Sequence, residues 1–134
     1  MKSLFEGFVL VVLLAAVPVQ RADAQSAPEW MKQSFPEQAL NAALEEQKAV
    51  MNSKGALDGK TKQLIALGMA AQIPCQYCVY GHTAMAKAAG ATDAEIKEAI
   101  AAAALTRKWS TVLNGTAYDF GKFKQQIDAA TASK

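Results

Sequence analysis

The most reactive side chains of this sequence lie close together: Cys75, Cys78 and His82, in the pattern C-x-x-C-x-x-x-H. The sequence contains no other cysteine or histidine. On a helix that turns about 100° per residue, the three side chains would share an arc of about 60°. The two cysteine Cα atoms would then lie about 5 Å apart, within the range that a disulfide requires. The spacing therefore predicts a pair that alternates between dithiol and disulfide, with a histidine beside it.

The residues around the pair predict that its two sulfurs are activated by different means. Pro74 is expected at the first helical position, which places Cys75 in the first turn, where free backbone N–H groups favour a thiolate. Cys78 lies one turn further along, and His82 at i+4 is placed to accept its proton or to form a thiolate–imidazolium pair. This asymmetry is typical of a nucleophilic cysteine with a resolving partner.

Other uses of the two cysteines fit the sequence less well. Covalent haem attachment needs a histidine directly after the second cysteine, where this chain has Val79. A zinc site of both cysteines, the histidine and water is chemically reasonable, but ligands at i, i+3 and i+7 of one helix form a poor tetrahedron. A purely structural disulfide would close so short a loop that it contributes only about 2 kcal/mol. We therefore predict neither a metal nor another cofactor.

Helical periodicity runs through the chain after about residue 28, and no strand pattern or internal repeat competes with it. We predict an all-α fold, a compact multi-helix domain whose cysteine pair opens a central helix. Asp58 and Thr92 are good N-caps, the second in a capping box with Glu95, and Gly90 ends the cysteine-bearing helix. The predicted segments are a short turn at 28–34 and helices at about 36–52, 59–73, 74–89, 93–113 and 118–130.

Three of these helices have compositions that predict how they pack. The helix after Asp58 is apolar on most sides, so we expect it to be nearly all buried. The alanine-rich stretch 99–104 would let a neighbouring helix approach closely, which places its helix centrally. The last helix is amphipathic. The apolar positions concerned are Leu64, Ile65, Leu67, Gly68, Met69 and Ala71 in the first of the three helices, and Phe120, Phe123 and Ile127 in the last.

The N-terminal stretch has the organisation of a signal peptide. Lys2 precedes an apolar run at 8–19, which is shorter than the roughly 20 residues that span a bilayer as a helix. The small residues of Ala22–Ala24 fit a signal peptidase, so we predict a signal peptide at 1–24 and one periplasmic or secreted domain at 25–134. The alternative is a retained membrane anchor. Basic residues are scattered along the mature chain, which argues against nucleic acid as a partner, and no membrane partner is expected after cleavage.

Three segments of the chain resemble the alkylhydroperoxidase D/carboxymuconolactone decarboxylase family. They are Lys60–Leu67, the C-x-x-C-x-x-x-H stretch and Gly90–Ala99, and Trp109–Gly115 is similar to the tail of small family members. The resemblance covers about residues 36–118, most of the mature chain. It implies an all-helical subunit that assembles into a homo-oligomer, either a trimer or a hexamer.

The resemblance also implies an activity, the reduction of a small hydroperoxide. Cys78 would be the attacking thiol, Cys75 the resolving thiol and His82 part of the proton relay. In alkylhydroperoxidase D a dihydrolipoyl protein resets the disulfide, but export would put that donor out of reach, so the thiol reductant is left open. Two positions depart from the family: Gln63 stands where a glutamate commonly drives the relay, and Tyr77 where alkylhydroperoxidase D has a histidine. Because both changes remove proton-accepting capacity, we expect weak or altered peroxidase activity.

Two other functions stay open at this point. One is acid–base decarboxylation of a lactone, although family members of that kind generally lack the cysteine pair. The other is a non-catalytic module whose cysteines form a fixed disulfide. Glu95 and Glu98 are better explained by capping and by solvation of their helix than as substitutes for the missing glutamate.

Overall fold

The computed structural model describes residues 26–52 and 54–132, so the predicted signal peptide at 1–24 lies outside the described residues. The described part is all-α, as predicted, and it contains helices and no strand. None of these helices combines the length and the apolar character needed to cross a membrane. The helices are α1 (Glu29–Ser34), α2 (Glu37–Val50), α3 (Gly59–Gln72), α4 (Gln76–Ala88), α5 (Asp93–Gly115) and α6 (Phe120–Ala132).

The chain divides into two compact units, and the boundary between them follows Gln47, inside α2. In the first unit α1 and the first part of α2 share a small apolar core. Met31 of α1 and Leu40 and Leu44 of α2 are buried in it together with Ala27. These positions of α2 are four residues apart, the spacing that places side chains on one face of a helix.

The second unit is organised around α3, which packs against both α4 and α5. Leu67 and Ala70 of α3 are buried, as are Ala86 of α4 and Ile96 of α5. The prediction that the alanine-rich helix α5 is central was therefore wrong, because α3 has a neighbour on each side. The predicted close approach is present: a Cβ atom at Gly68 would lie 3.3 Å from the Cβ of Ala103.

The predicted caps fix the starts of α3 and α5 and join the two helices. The Asp58 side chain accepts a hydrogen bond from the Thr61 N–H, and Thr92 and Glu95 form the predicted capping box. The Lys60 ammonium also donates to Glu95 Oε1 at 2.6 Å, so one carboxylate both caps α5 and ties it to α3. The Lys60–Glu95 ion pair therefore links the start of α3 to the start of α5.

The expected burial of α3 was wrong in part. Ile65 and Met69 of α3 are 57% and 62% exposed, and they line an open groove together with residues of α5. On α6 no residue is buried, and Phe120 is 75% exposed. The second unit therefore presents apolar side chains to its surroundings.

Candidate functional site

The two cysteines form a disulfide at the start of α4, with their Cα atoms 5.3 Å apart. The predicted placement of Pro74 at the first helical position was wrong. Cys75 is itself the N-cap, with extended backbone angles, and α4 begins at Gln76. The physical reason is the hydrogen bond that the Cys75 sulfur accepts from the Cys78 N–H at 3.2 Å, which satisfies one of the free donors of the first turn.

This cap changes the electrostatic surroundings that the sequence predicted for each sulfur. Cys75 Sγ accepts a backbone N–H directly, whereas Cys78 lies in the first turn of α4. Both positions favour a thiolate when the disulfide is reduced, because the free N–H groups and the helix dipole stabilise negative charge there. Both cysteines are half-buried. The pair is therefore held at a positively polarised helix start, where both cysteines are partly exposed.

The sequence-predicted residues Gln63 and His82 come together across the α3–α4 contact. Gln63 is 8% exposed, and its Oε1 lies 2.8 Å from Nδ1 of His82. The bonded pair joins α3 to the helix that carries the cysteines, since His82 lies one turn after Cys78 on α4. The structure thus places Gln63 beside the histidine and not in solvent.

The second end of the Gln63 amide contacts a residue that the sequence analysis missed. Its Nε2 lies 3.8 Å from the thioether sulfur of Met85. A thioether accepts weakly and donates nothing, so the amide is best satisfied with Nε2 towards the sulfur and Oε1 towards His82. Oε1 can only accept, and His82 Nδ1 must therefore carry the proton. The other ring nitrogen, Nε2, is left with a lone pair. Met85 lies three residues after His82, and this helical spacing is the feature of the sequence that could have indicated its place beside the site.

Glu95 does not replace the missing glutamate of the site. Its pKa is lowered to about 2, first by the hydrogen bond from Lys60 and then by the bonds from the backbone and side chain of Thr92. A carboxylate held in this way keeps its charge and is committed to the cap and the ion pair. Gln63 is therefore the side chain that α3 supplies to His82.

The described residues offer no alternative metal centre. Among them there is no group of three or more histidine, cysteine, aspartate or glutamate side chains placed to hold a metal ion. The groups that the described residues bring together here are the two sulfurs, the imidazole and the Gln63 amide. A disulfide is a two-electron acceptor, and a neutral imidazole with a free lone pair is a proton acceptor. This combination supports thiol–disulfide exchange coupled to proton transfer.

Comparison with known proteins places this geometry in context. The sequence profile of the carboxymuconolactone decarboxylase family matches residues 37–120. The chain is similar to the crystal structure of the alkylhydroperoxidase AhpD core from Rhodospirillum rubrum, with a TM-score of 0.62, 29% sequence identity and coverage of 69% of each chain. It is also 47% identical over 58 residues to "Uncharacterized protein 4 in cox locus" of Paracoccus denitrificans, which is 43% of this chain and 52% of that one. The chain thus matches about half the length of that curated relative.

Proposed function

Because the chain belongs to the carboxymuconolactone decarboxylase family, we propose that its cysteine pair makes it a thiol-dependent peroxidase. The observation that carries this proposal is the Cys75–Cys78 disulfide at the start of α4, with His82 one turn further along the same helix. The similarity to an alkylhydroperoxidase core supports it. The lactone decarboxylation named by the family has no use for a redox-active sulfur pair.

The proposed cycle begins with the reduced pair. His82 accepts the proton of Cys78, and the Cys78 thiolate attacks the terminal oxygen of a hydroperoxide. The O–O bond breaks, and the alcohol leaves with a proton. The sulfenic acid on Cys78 then condenses with the Cys75 thiol, which forms the disulfide and releases water. Two external thiol groups return the pair to the dithiol with two electrons and two protons and become a disulfide themselves.

In this proposal Gln63 is a positioning residue. Its Oε1 holds the proton of His82 on Nδ1, which leaves Nε2 as the nitrogen that accepts a proton. An amide cannot take up that proton in turn, unlike the glutamate that the family resemblance leads one to expect. The proposed enzyme therefore has a histidine base without a carboxylate behind it, and its peroxide rate is expected to be low.

Stopped-flow oxidation of the reduced protein tests the proposal. Limiting hydroperoxide is added to wild type, Cys75→Ser and Cys78→Ser, and free thiols and protein mass are followed. We expect Cys78→Ser to be inert and Cys75→Ser to react once, with a gain of one oxygen on Cys78. If Cys78→Ser reacts and Cys75→Ser does not, the two roles are reversed. If wild type keeps its thiols in the presence of peroxide, the protein is not a peroxidase, and a non-catalytic module becomes the better description.

The proposed location is the periplasm or the exterior, after removal of residues 1–24. Support comes from the sequence alone, namely the apolar run at 8–19 and the small residues of Ala22–Ala24. Export suits a disulfide protein, since oxidising compartments preserve such bonds. The intact mass of the protein in a periplasmic fraction is the test. We expect a chain that begins at Gln25, and a full-length protein in the cytosol would contradict the proposal.

The proposed assembly is a homo-oligomer, either a trimer or a hexamer. Large apolar side chains of α3 and α5 are more than half exposed in the single chain: Ile65, Met69, Leu105 and Trp109. Apolar surface that is exposed in one chain is often covered in a protein–protein interface. Light scattering coupled to size exclusion measures the assembly directly. We expect a species of three or six chains for wild type and a smaller one for Met69→Lys, whereas a monomeric wild type would contradict the proposal.

A further inference from the structure

An open, mainly apolar groove lies along α4 with one of the two cysteines in its wall. Its volume is about 730 Å³, within the size range of sites that take small organic ligands. Among the described residues Cys75 lines this groove, whereas Cys78, His82 and Gln63 do not. The lining residues come from the end of α3, the α3–α4 connection and one face of α4: Ala70, Ala71, Pro74, Gln76, Val79, Tyr80, Thr83, Ala84 and Lys87.

Cys75, the N-cap of α4, therefore borders the groove, whereas Cys78 lies within the helix and outside the lining. The groove residues of α4 recur every three or four positions, from Gln76 to Lys87, and form one stripe. On a helix that turns about 100° per residue, Cys78 and His82 point in nearly the same direction. Around the helix axis, that direction is roughly 150° away from the centre of the stripe of groove residues. A molecule in the groove reaches Cys75 without crossing the Gln63–His82 pair.

We propose that this groove binds the reducing thiol, and that the thiol attacks the disulfide at Cys75. The inference deepens the proposed function and rests on it, since it names the side and the sulfur through which the oxidised enzyme is reset. The incoming thiolate forms a bond to Cys75 Sγ, the Cys75–Cys78 bond breaks, and Cys78 leaves as a thiolate that takes a proton through His82. A second thiol then attacks the mixed disulfide and releases Cys75.

The composition of the groove defines the class of thiol. Of the lining residues that the structure describes, Lys87 alone is charged, and its ammonium is paired with Asp93 at 2.8 Å. Alanine, proline and valine make up much of the remaining wall. An uncharged thiol with an apolar body is therefore favoured over a charged peptide thiol, because its carbon atoms are removed from water in the groove.

Location of the mixed disulfide is the first test. Oxidised wild type is mixed with benzyl mercaptan and quenched with acid at early times, and the adduct is located by fragmentation mass spectrometry. Gln76 and Tyr77 separate the two cysteines, so fragment ions distinguish them. We expect the adduct on Cys75. The hydrogen bond from the Cys78 N–H would instead favour Cys75 as the leaving sulfur. An adduct on Cys78 would overturn the proposal.

A groove-filling variant gives the second test. Ala84 lines the groove and is exposed, and Ala88 is an exposed alanine of the same helix outside the lining. We expect Ala84→Trp to slow reduction by benzyl mercaptan at least fivefold more than reduction by the smaller 2-mercaptoethanol, and Ala88→Trp to change neither rate. Equal slowing of both thiols, or the same effect in Ala88→Trp, would overturn the proposal. Both tests start from the disulfide and use no peroxide, so they remain decisive even if peroxidase activity is absent.

Discussion

Gln63 Oε1 lies 2.8 Å from His82 Nδ1, and the same amide places its Nε2 against the sulfur of Met85. Gln63 is almost fully buried, so both ends of its amide must be satisfied inside the protein. The arrangement fixes the direction of the hydrogen bond, from the imidazole to the amide oxygen. A neutral side chain thereby selects the tautomer of the only histidine in the chain.

The first prediction is that neutral His82 carries its proton on Nδ1. Because the sequence has one histidine, a long-range ¹⁵N–¹H correlation spectrum at alkaline pH reports this ring without assignment. We expect Gln63→Leu, which has no acceptor at this position, to lose the preference for Nδ1–H. A proton on Nε2 in wild type would show that the amide is rotated, with its NH₂ group towards the ring.

The second prediction concerns the charge that the site lacks. Gln63→Glu adds a carboxylate at hydrogen-bond distance from His82 and favours the imidazolium, which in turn stabilises the Cys78 thiolate. We expect peroxide oxidation to rise about tenfold near neutral pH, the low end of general acid–base effects. In wild type, by contrast, the rate is expected to fall as the pH drops, because the thiolate that attacks the peroxide is then protonated.

The pH–rate profile of thiol oxidation at constant ionic strength measures this change. Gln125→Glu is the matched control, because it adds the same charge at an exposed position of α6. We expect its profile to equal that of wild type. If the Gln63→Glu profile is also unchanged, the imidazole is not the group that activates Cys78.

Local signals in the sequence were sufficient to predict the helices and most of their ends. The capping box of Thr92 with Glu95 and the left-handed Gly90 after α4 are both present. The end of α5 was harder, since Gly115 is helical and Ala117 takes the left-handed position with φ 49°. An alanine is an unusual choice there, and it is held by the N–H of Tyr118 bonding to the carbonyl of Leu113, as in a Schellman motif.

The sequence named most residues of the candidate site but not Met85, and it did not give the geometry of the site. Spacing along one helix is enough to relate Cys78 to His82, but Gln63 lies on another helix, and only the packing of α3 against α4 brings it to the imidazole. The N-cap of α4 was mispredicted because the sequence Pro74-Cys75 is compatible with two helix starts. One has proline at the first helical position, and the other has the cysteine as the N-cap. The groove beside Cys75 is formed by two helices and a turn, and no periodic signal marks it.

The third prediction follows from the Cys75 cap. Serine caps helices well and alanine does not, so under reducing conditions Cys75→Ala is expected to be about 1 kcal/mol less stable than Cys75→Ser. At Cys78, which is inside the first turn, the alanine and serine variants are expected to differ in stability by less than half as much. All four variants lack the disulfide, so the comparison isolates the cap. Urea unfolding measures the differences, and equal differences at both positions would show that reduced Cys75 does not cap α4.

The last prediction is an acid-dependent loss of stability through Glu95. Its pKa in the folded protein is about 2, against an ordinary value of 4.5, chiefly because of the hydrogen bond from Lys60. A carboxylate whose pKa is lowered by folding contributes stability that is fully present above its pKa in the unfolded chain. That stability is lost as the pH falls through its pKa in the folded protein. Glu95→Gln is therefore expected to be less stable than wild type at pH values above about 4.5, with the difference shrinking as the pH approaches 2.

Some acid dependence remains in this variant, since the Thr61 N–H lowers the pKa of Asp58 and Lys87 lowers that of Asp93. Thermal unfolding across this pH range gives the measurement, and Glu98→Gln on the same helix is the charge-matched control. A difference between Glu95→Gln and wild type that stays constant with pH would mean that the ion pair and the cap do not hold this carboxylate ionised.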